Sequence, residues 1–202
     1  MFTGIITDIG TIQSAEHRGD LRLVIGSHYD MADVAIGASI ACSGVCLTVV
    51  DKGDGWFAVD ASGETVGRTA AGMWEAGHRL NLERAMKLGD ELGGHIVTGH
   101  VDGVGTITTL VQEGDSHRVS VQVDASLAPY IAAKGSVTVD GVSLTVNAVS
   151  DNADGALFTL NIIPHTWDVT TLSGWQTGAQ VNIEIDVLAR YLARMQQRKP
   201  SL

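Results

Sequence analysis

Apolar residues along this chain mostly alternate with polar ones or fall in short blocks closed by Gly, Asp or Asn. That is the pattern of half-buried strands. LRLVIG at 21–26, CLTVVD at 46–51, RVSVQV at 118–123 and ALFTLNII at 156–163 are clear instances. SLAPYIAAKG at 126–135 predicts a short helix with Gly135 near its C-cap, and the stretch around 29–37 predicts a counterpart. After Asp186 the period changes: Val187, Leu188, Tyr191, Leu192 and Met195 follow helical spacing, with Arg190, Arg194 and Gln197 on other faces. An apolar stripe beyond the last strand needs a surface to cover, on its own chain or in an oligomer.

The pattern occurs twice. FTGIITDIGTI at 2–12 aligns with VTGHVDGVGTI at 97–107, SIACSGVCLTVV at 39–50 with SVTVDGVSLTVN at 136–147, and FAVDASGET at 57–65 with FTLNIIPHT at 158–166. Each half then continues with a Trp, a Gly and a strand: Trp74, Gly77 and LNLE at 80–83; Trp175, Gly178 and VNIE at 181–184. Collinear matches of this kind mark an internal duplication. About six short strands per half are too few for two packed sheets but enough to close one small barrel, which also removes unpaired edges. The expected fold is therefore all-β, two tandem six-stranded barrels with a C-terminal α-helix. The expected domains are 1–90 and 95–186, joined by MKLGDELGGH at 86–95 and followed by a helix at 187–202.

Composition narrows the function. The 202 residues are 45% hydrophobic and 18% charged, with 24 Gly and 3 Pro, ample for packed cores and tight turns. A net charge of −10, without a basic cluster beyond a weak tail at 194–199, disfavours a nucleic-acid partner. No apolar run is long enough to span a bilayer, and MFTGIITDIG does not read as a secretory signal. Cys42 and Cys46, if they share one strand, lie about 13 Å apart at roughly 3.3 Å per residue, too far for a disulfide. A reduced, cytoplasmic setting fits best.

Candidate chemistry lies where the two copies diverge. His100 stands opposite Ile5, an acid–base group where the twin is aliphatic, and Cys46 stands opposite Ser143, with Leu47-Thr48 and Leu144-Thr145 retained beside them. His95 and His100 have no third and fourth ligand at suitable spacing, so a structural role outweighs a metal site. No Ser-His-Asp triad can be read, and neither GxxxxGK[ST] nor GxGxxG is present. Asp60, Ser62 and Thr65 in one half, and Asn161, His165 and Thr166 in the other, could read a heterocycle edge or equally cap short helices.

MFTGII, GVCLTV, GGHIVTGHVDG, DGVSLTV, NIIPHT with TTL after it, and VNIEID together resemble the riboflavin synthase family, over essentially the whole chain and in order. The resemblance implies Greek-key barrels that each bind one 6,7-dimethyl-8-ribityllumazine. It implies a dismutation to riboflavin and 5-amino-6-ribitylamino-uracil without metal or organic cofactor, a homotrimer held by C-terminal helices, and a site between the N-terminal barrel of one subunit and the C-terminal barrel of another. Association with lumazine synthase is left open.

Carried onto this sequence, the resemblance assigns ligand contacts in the N-terminal barrel to Phe2, Thr3, Gly4, Ile5, Ile6, Cys46, Leu47, Thr48, Asp60, Ala61, Ser62, Gly63, Glu64 and Thr65. In the C-terminal barrel it assigns Thr98, Gly99, His100, Lys134, Ser143, Leu144, Thr145, Asn161, Ile162, Ile163, Pro164, His165 and Thr166. His100 with Thr145 is expected to assist deprotonation of the donor's acidic methyl group. Cys46 and Ser39 are expected at the acceptor's ring carbon, Ser143 as the twin of Cys46, and Asp186 as a carboxylate near the intersubunit site. Ser43 departs from an expected Asn, Val45 from a Cys found in some members, and His165 from a common Glu. A non-catalytic lumazine carrier shares the duplication; retention of Cys46, Ser143, Lys134 and His100 favours the enzyme.

Overall fold

Each half closes on itself in the computed structural model, which describes residues 1–197. The first barrel is built from β1 (Asp8–Arg18), β2 (Asp20–Gly26), β3 (Ser39–Cys42), β4 (Val45–Gly53), β5 (Trp56–Ala61) and β6 (Arg79–Arg84). Around the barrel they run β1-β2-β5-β4-β3-β6, and antiparallel pairing of β6 with β1 completes the ring. The second barrel comprises β7 (Gly103–Glu113), β8 (Ser116–Val123), β9 (Ser136–Val139), β10 (Val142–Asn152), β11 (Gly155–Ile162) and β12 (Gln180–Ile185), in the same cyclic order. Three hairpin-linked strands followed by a fourth that returns beside the first make each barrel a Greek key. A short helix follows the fifth strand of each half: α1 (Gly63–Arg68) and α2 (Pro164–Val169). α3 (Val187–Gln197) ends the described chain, and positions 198–202 of the expected tail helix lie outside the described residues.

The strand period explains the closure. In β2, Leu21, Leu23 and Ile25 point inward while the residues between them stay more exposed. Each core then fills in twinned fashion, with Phe57, Leu82 and Trp74 in one barrel and Phe158, Ile183 and Trp175 in the other. Phe57 and Phe158 are fully buried, so truncating either to Ala would cost about 3–5 kcal/mol. Register shifts fall between Ile12 and Ser14 in β1 and between Val49 and Asp51 in β4. They recur at the twin places, Ile107 to Thr109 and Val146 to Ala148. Such bulges bend a strand sharply enough to close a six-stranded ring.

The barrels meet through the turns that join β3 to β4 and β9 to β10. Ser43-Gly44 and Asp140-Gly141 all have positive φ, the conformation of a two-residue hairpin loop. A Cβ on Gly141 would lie 2.7 Å from the Gly44 nitrogen, so glycine is required for this approach. Two buried asparagines bind the turns crosswise. Asn81 Nδ2 donates to the Asp140 carbonyl (2.8 Å), and its Oδ1 accepts the Thr171 amide (2.8 Å). Asn182 Nδ2 donates to the Ser43 carbonyl (2.9 Å), and its Oδ1 accepts the Ala70 amide (2.8 Å). Burial pushes the Asp140 carboxyl up to about 6, although it accepts from the Asn182 amide and the Trp175 indole.

Two local expectations need correction. The helix expected at 126–135 is a single 3-10 turn, Ala128–Tyr130, matched by Met31–Asp33 in the first half. Lys134 at φ +66 lies in the left-handed region, which a helix cannot use, and one turn suffices to bury Leu127 and Ile131. Cys42 and Cys46 do not share a strand: the Ser43-Gly44 turn separates them, and both are free. Cys42 points into the barrel core, where burial pushes its thiol up, and Cys46 lies half-buried outside it. α3 is tied down by Arg190, whose two guanidinium nitrogens grip Asp102 at 2.7 and 2.9 Å. Leu188, Tyr191, Leu192 and Met195 on that helix remain more than 60% exposed. No described helix is long and apolar enough to cross a membrane.

Candidate functional site

The segments that precede each barrel, Phe2 to Thr7 and Val97 to Asp102, lie side by side rather than on their own strands. Phe2 and Val97 exchange backbone hydrogen bonds at 2.8 and 3.1 Å. Beyond that bridge each segment turns at a glycine with positive φ, Gly4 (+76) or Gly99 (+78), and crosses to the opposite barrel. The Ser143 amide donates to the Gly4 carbonyl, and the Cys46 amide donates to the Gly99 carbonyl, both at 2.8 Å. Ile6 accordingly packs on the second core and Val101 on the first.

This changes the expected grouping. Gly4 meets Ser143 and Ile6 the second core, whereas Gly99 meets Cys46; Ile5 lines a cavity with Thr7, Tyr29 and Arg84 of its own half. The physical reason is edge pairing. The amides of Cys46 and Ser143 follow hairpin turns at the barrel ends, and the nearest free carbonyls come from the other repeat. Contact is close at both places: a Cβ on Gly4 would sit 2.6 Å from Ser143 Cβ, and one on Gly99 2.6 Å from Cys46 Cβ.

Two buried glutamates hold these crossings. Glu83, at the end of β6, accepts the Thr3 amide and hydroxyl (both 2.7 Å) and the Gly4 amide (2.9 Å). Glu184, on β12, accepts the Thr98 amide (2.6 Å) and hydroxyl (2.7 Å), the Gly99 amide (2.9 Å) and the His100 amide (3.1 Å). Burial raises the Glu83 carboxyl above the usual carboxylate range, with the Thr3 and Gly4 hydrogen bonds opposing that shift. Both glutamates were visible as the shared last residue of LNLE and VNIE, but their partners lie some 80 positions away.

At the C-terminal rim, Ser143 Oγ lies 2.7 Å from His95 Nδ1, and His95 Nε2 lies 3.2 Å from Thr138 Oγ1. Burial lowers the His95 pKa below its ordinary 6.5, and the charge of Asp186 opposes the shift. A half-buried hydroxyl thus faces an imidazole held neutral, with a carboxylate in its field. Sequence reasoning missed this pairing; its only signal was a histidine beside Gly93-Gly94, where a Cβ on Gly94 would collide with the Thr3 carbonyl and Ser143. Asp186 also receives the Leu188 amide (2.9 Å) at the start of α3.

The remaining expected residues divide by orientation. Ser39 pairs with Thr48 across β3 and β4, and Ser136 with Thr145 across β9 and β10, placing these hydroxyl side chains on the two rims. Leu47, Ala61 and Ile162 point into the cores and can offer only backbone, while Leu144 packs against the second core. Asp60 is exposed and pairs with Arg22 at 3.3 Å. Ser62 caps α1 by accepting the Thr65 amide (3.2 Å), and Gly63 and Glu64 form its exposed first turn. Asn161, Ile163, Pro164 and His165 are exposed where β11 passes into α2, and Thr166 is half-buried there. The His100 side chain is exposed and, among the described residues, forms no hydrogen bond with Thr145 or any other group. Lys134 donates its amide to Val146 (2.7 Å), as Gly37 does to Val49 (2.8 Å). A lysine thus occupies a left-handed position (φ +66) where its twin is glycine, a placement that costs about 1–2 kcal/mol. An open cavity of about 560 Å³ lies beside Thr3, Ile5 and Tyr29, under the linker residues Met86 and Glu91.

Comparison with known proteins gives a consistent family. The lumazine binding domain matches residues 3–85 and again 98–186. Riboflavin synthase of Brucella abortus (strain 2308) is 49% identical over 203 residues, covering 98% of each chain. Riboflavin synthase of Bacillus subtilis (strain 168) is 40% identical over 195 residues, covering 96% of this chain and 89% of that one. Among solved structures, LumP complexed with riboflavin superposes with a TM-score of 0.81 at 26% identity, covering 92% of this chain and 99% of that one. LumP complexed with 6,7-dimethyl-8-(1'-D-ribityl) lumazine has the same fold, with a TM-score of 0.79 at 24% identity and the same coverage.

Proposed function

The chain belongs to the riboflavin synthase family, and on that premise we propose that each barrel rim holds one 6,7-dimethyl-8-ribityllumazine while a four-carbon unit passes between them. The products are riboflavin and 5-amino-6-ribitylamino-uracil. The observation that carries this reading is the doubled rim, in which Cys46 against Gly99 and Ser143 against Gly4 repeat one geometry with different chemistry. Two copies of one scaffold hold two copies of one ring, and fixed orientation supplies much of the rate.

Donor and acceptor need different neighbours. At the Ser143 rim, neutral His95 takes a proton through the Ser143 hydroxyl, a role suited to an imidazole below its ordinary pKa. This pair and the Lys134 ammonium support placing the donor, with its acidic methyl group, in the C-terminal pocket. At the other rim, Cys46 and Ser39 flank the acceptor's ring carbon. The exposed His100 and Thr145 side chains are free to act together through a bound ligand at a site between subunits.

The exposed Leu188, Tyr191, Leu192 and Met195 support a homotrimer in which α3 covers its apolar face against other copies. Removing everything after Asp186 should then give monomers by size-exclusion chromatography with light scattering; an intact trimer would refute that role. We place the enzyme in the cytoplasm, where its free cysteines stay reduced. The function is tested by incubating the full-length chain with 6,7-dimethyl-8-ribityllumazine, without added cofactor, and following riboflavin absorbance. Riboflavin should accumulate. Stoichiometric binding without product would instead describe a carrier.

A further inference from the structure

We propose that Glu83 and Glu184 are positioning residues that act crosswise, each carboxylate setting the pocket of the barrel to which it does not belong. The assignment rests on the reading of the two rims as lumazine pockets. Glu184 is on the second barrel, yet the backbone it grips, Thr98 to His100, presents the Gly99 carbonyl to the Cys46 amide of the first. Glu83 is on the first barrel, yet the backbone it grips presents the Gly4 carbonyl to the Ser143 amide of the second.

Both side chains are almost fully buried, Glu83 at 5% and Glu184 at 2% exposure. A buried carboxylate surrounded only by amide and hydroxyl donors is a strong anchor, since charge-assisted hydrogen bonds are about twice as strong as neutral ones. It also fits the run of N–H groups that a glycine in the left-handed region turns inward. The crossing glycines tolerate no side chain, so each segment has one seat, and the carboxylate decides whether it is occupied. The third amide of each segment is held as well. Glu184 accepts the His100 amide at 3.1 Å, and the Ile5 amide, within reach of Glu83, also donates to the Thr3 hydroxyl at 3.2 Å. Glu184 thereby fixes the backbone of the one histidine that the twin segment lacks.

Cys46 provides a site-specific reporter, because the other cysteine, Cys42, is buried in the core. Riboflavin is titrated against the rate at which a water-soluble thiol reagent modifies Cys46 in the full-length protein, with riboflavin formation measured in parallel. Glu184→Gln should raise the riboflavin concentration for half-protection about tenfold, the effect of one charge-assisted hydrogen bond, and Glu83→Gln should leave it within about twofold. Exchanging the twins, Cys46→Ser with Ser143→Cys, moves the reporter to the other rim, where the sensitivity should reverse. Thr98→Val removes the hydroxyl bond, itself charge-assisted, and should give a shift approaching the same roughly tenfold value, which keeps the test available if Glu184→Gln does not fold.

Equal shifts from both glutamine variants would overturn the crosswise assignment, as would no shift from either. So would failure of riboflavin to protect Cys46 in the parent protein. Parent protein that is protected but makes no riboflavin would overturn the enzymatic reading alone.

Discussion

Replacing Asn182 by Ala probes the junction between the barrels. Its side chain is 2% exposed, donates to the Ser43 carbonyl at 2.9 Å and accepts the Ala70 amide at 2.8 Å. Truncation leaves one buried carbonyl and one buried amide without partners, each costing about 1–3 kcal/mol. A cavity of about 390 Å³ already borders Asn182, Ser43 and Ala70, so water can reach part of the gap and hold the total toward the lower end. The expected loss is about 2–4 kcal/mol, a large share of the 5–15 kcal/mol typical of a domain. Asn81→Ala removes the twin bonds to Asp140 and Thr171 and should cost a similar amount. Urea unfolding at pH 7 measures both, followed in backgrounds that keep either Trp74 or Trp175 as the single tryptophan so that each reports one barrel. If the barrels lean on each other through these turns, the variants should also separate the two transitions. A loss below about 1 kcal/mol for Asn182→Ala, or a strong asymmetry between the twins, would refute the reasoning.

Two further outcomes are expected. Gly99→Ala combines a φ of +78 with a Cβ 2.6 Å from Cys46 Cβ, so riboflavin formation should fall at least about tenfold and stability by about 2 kcal/mol. Gly19→Ala, at φ +91 but with open space around it, should cost only the backbone strain of about 1 kcal/mol and leave turnover intact, as thermal melts and steady-state assays would show. For His95 the folded pKa lies below 6.5, so the stability that its neutral form contributes is complete above 6.5 and is lost as pH falls through the lowered value. The acid limb of kcat/KM should therefore lie below 6.5 and disappear in His95→Gln; an unchanged limb in that variant would remove His95 from the proton-transfer role.

The duplication was plain in the sequence because it is local. Alternating apolar residues in 21–26 and 118–123 dictate strands, and collinear matches such as CLTVV with SLTVN require those strands to fold alike. The TG, LT and polar-rim segments were legible for the same reason. Local pattern was ambiguous where a turn hides inside an apolar run. SIACSGVCLTV reads as nearly continuous strand, yet positive φ at Ser43 and Gly44 puts Cys42 and Cys46 on different strands. A short helix at 126–135 looked plausible until Lys134 entered the left-handed region.

By itself, then, the sequence determined two like barrels, a terminal helix and the residues at which the copies differ. Only the tertiary structure decided which of those residues meet. Gly4 reaches Ser143 and Gly99 reaches Cys46 because each crossing segment turns its glycine carbonyl toward an amide of the neighbouring barrel, and His95 finds Ser143 at the same junction. Groups that must be paired on burial across long stretches of intervening chain carry no periodic signal. Packing two closed barrels against each other is what selects them.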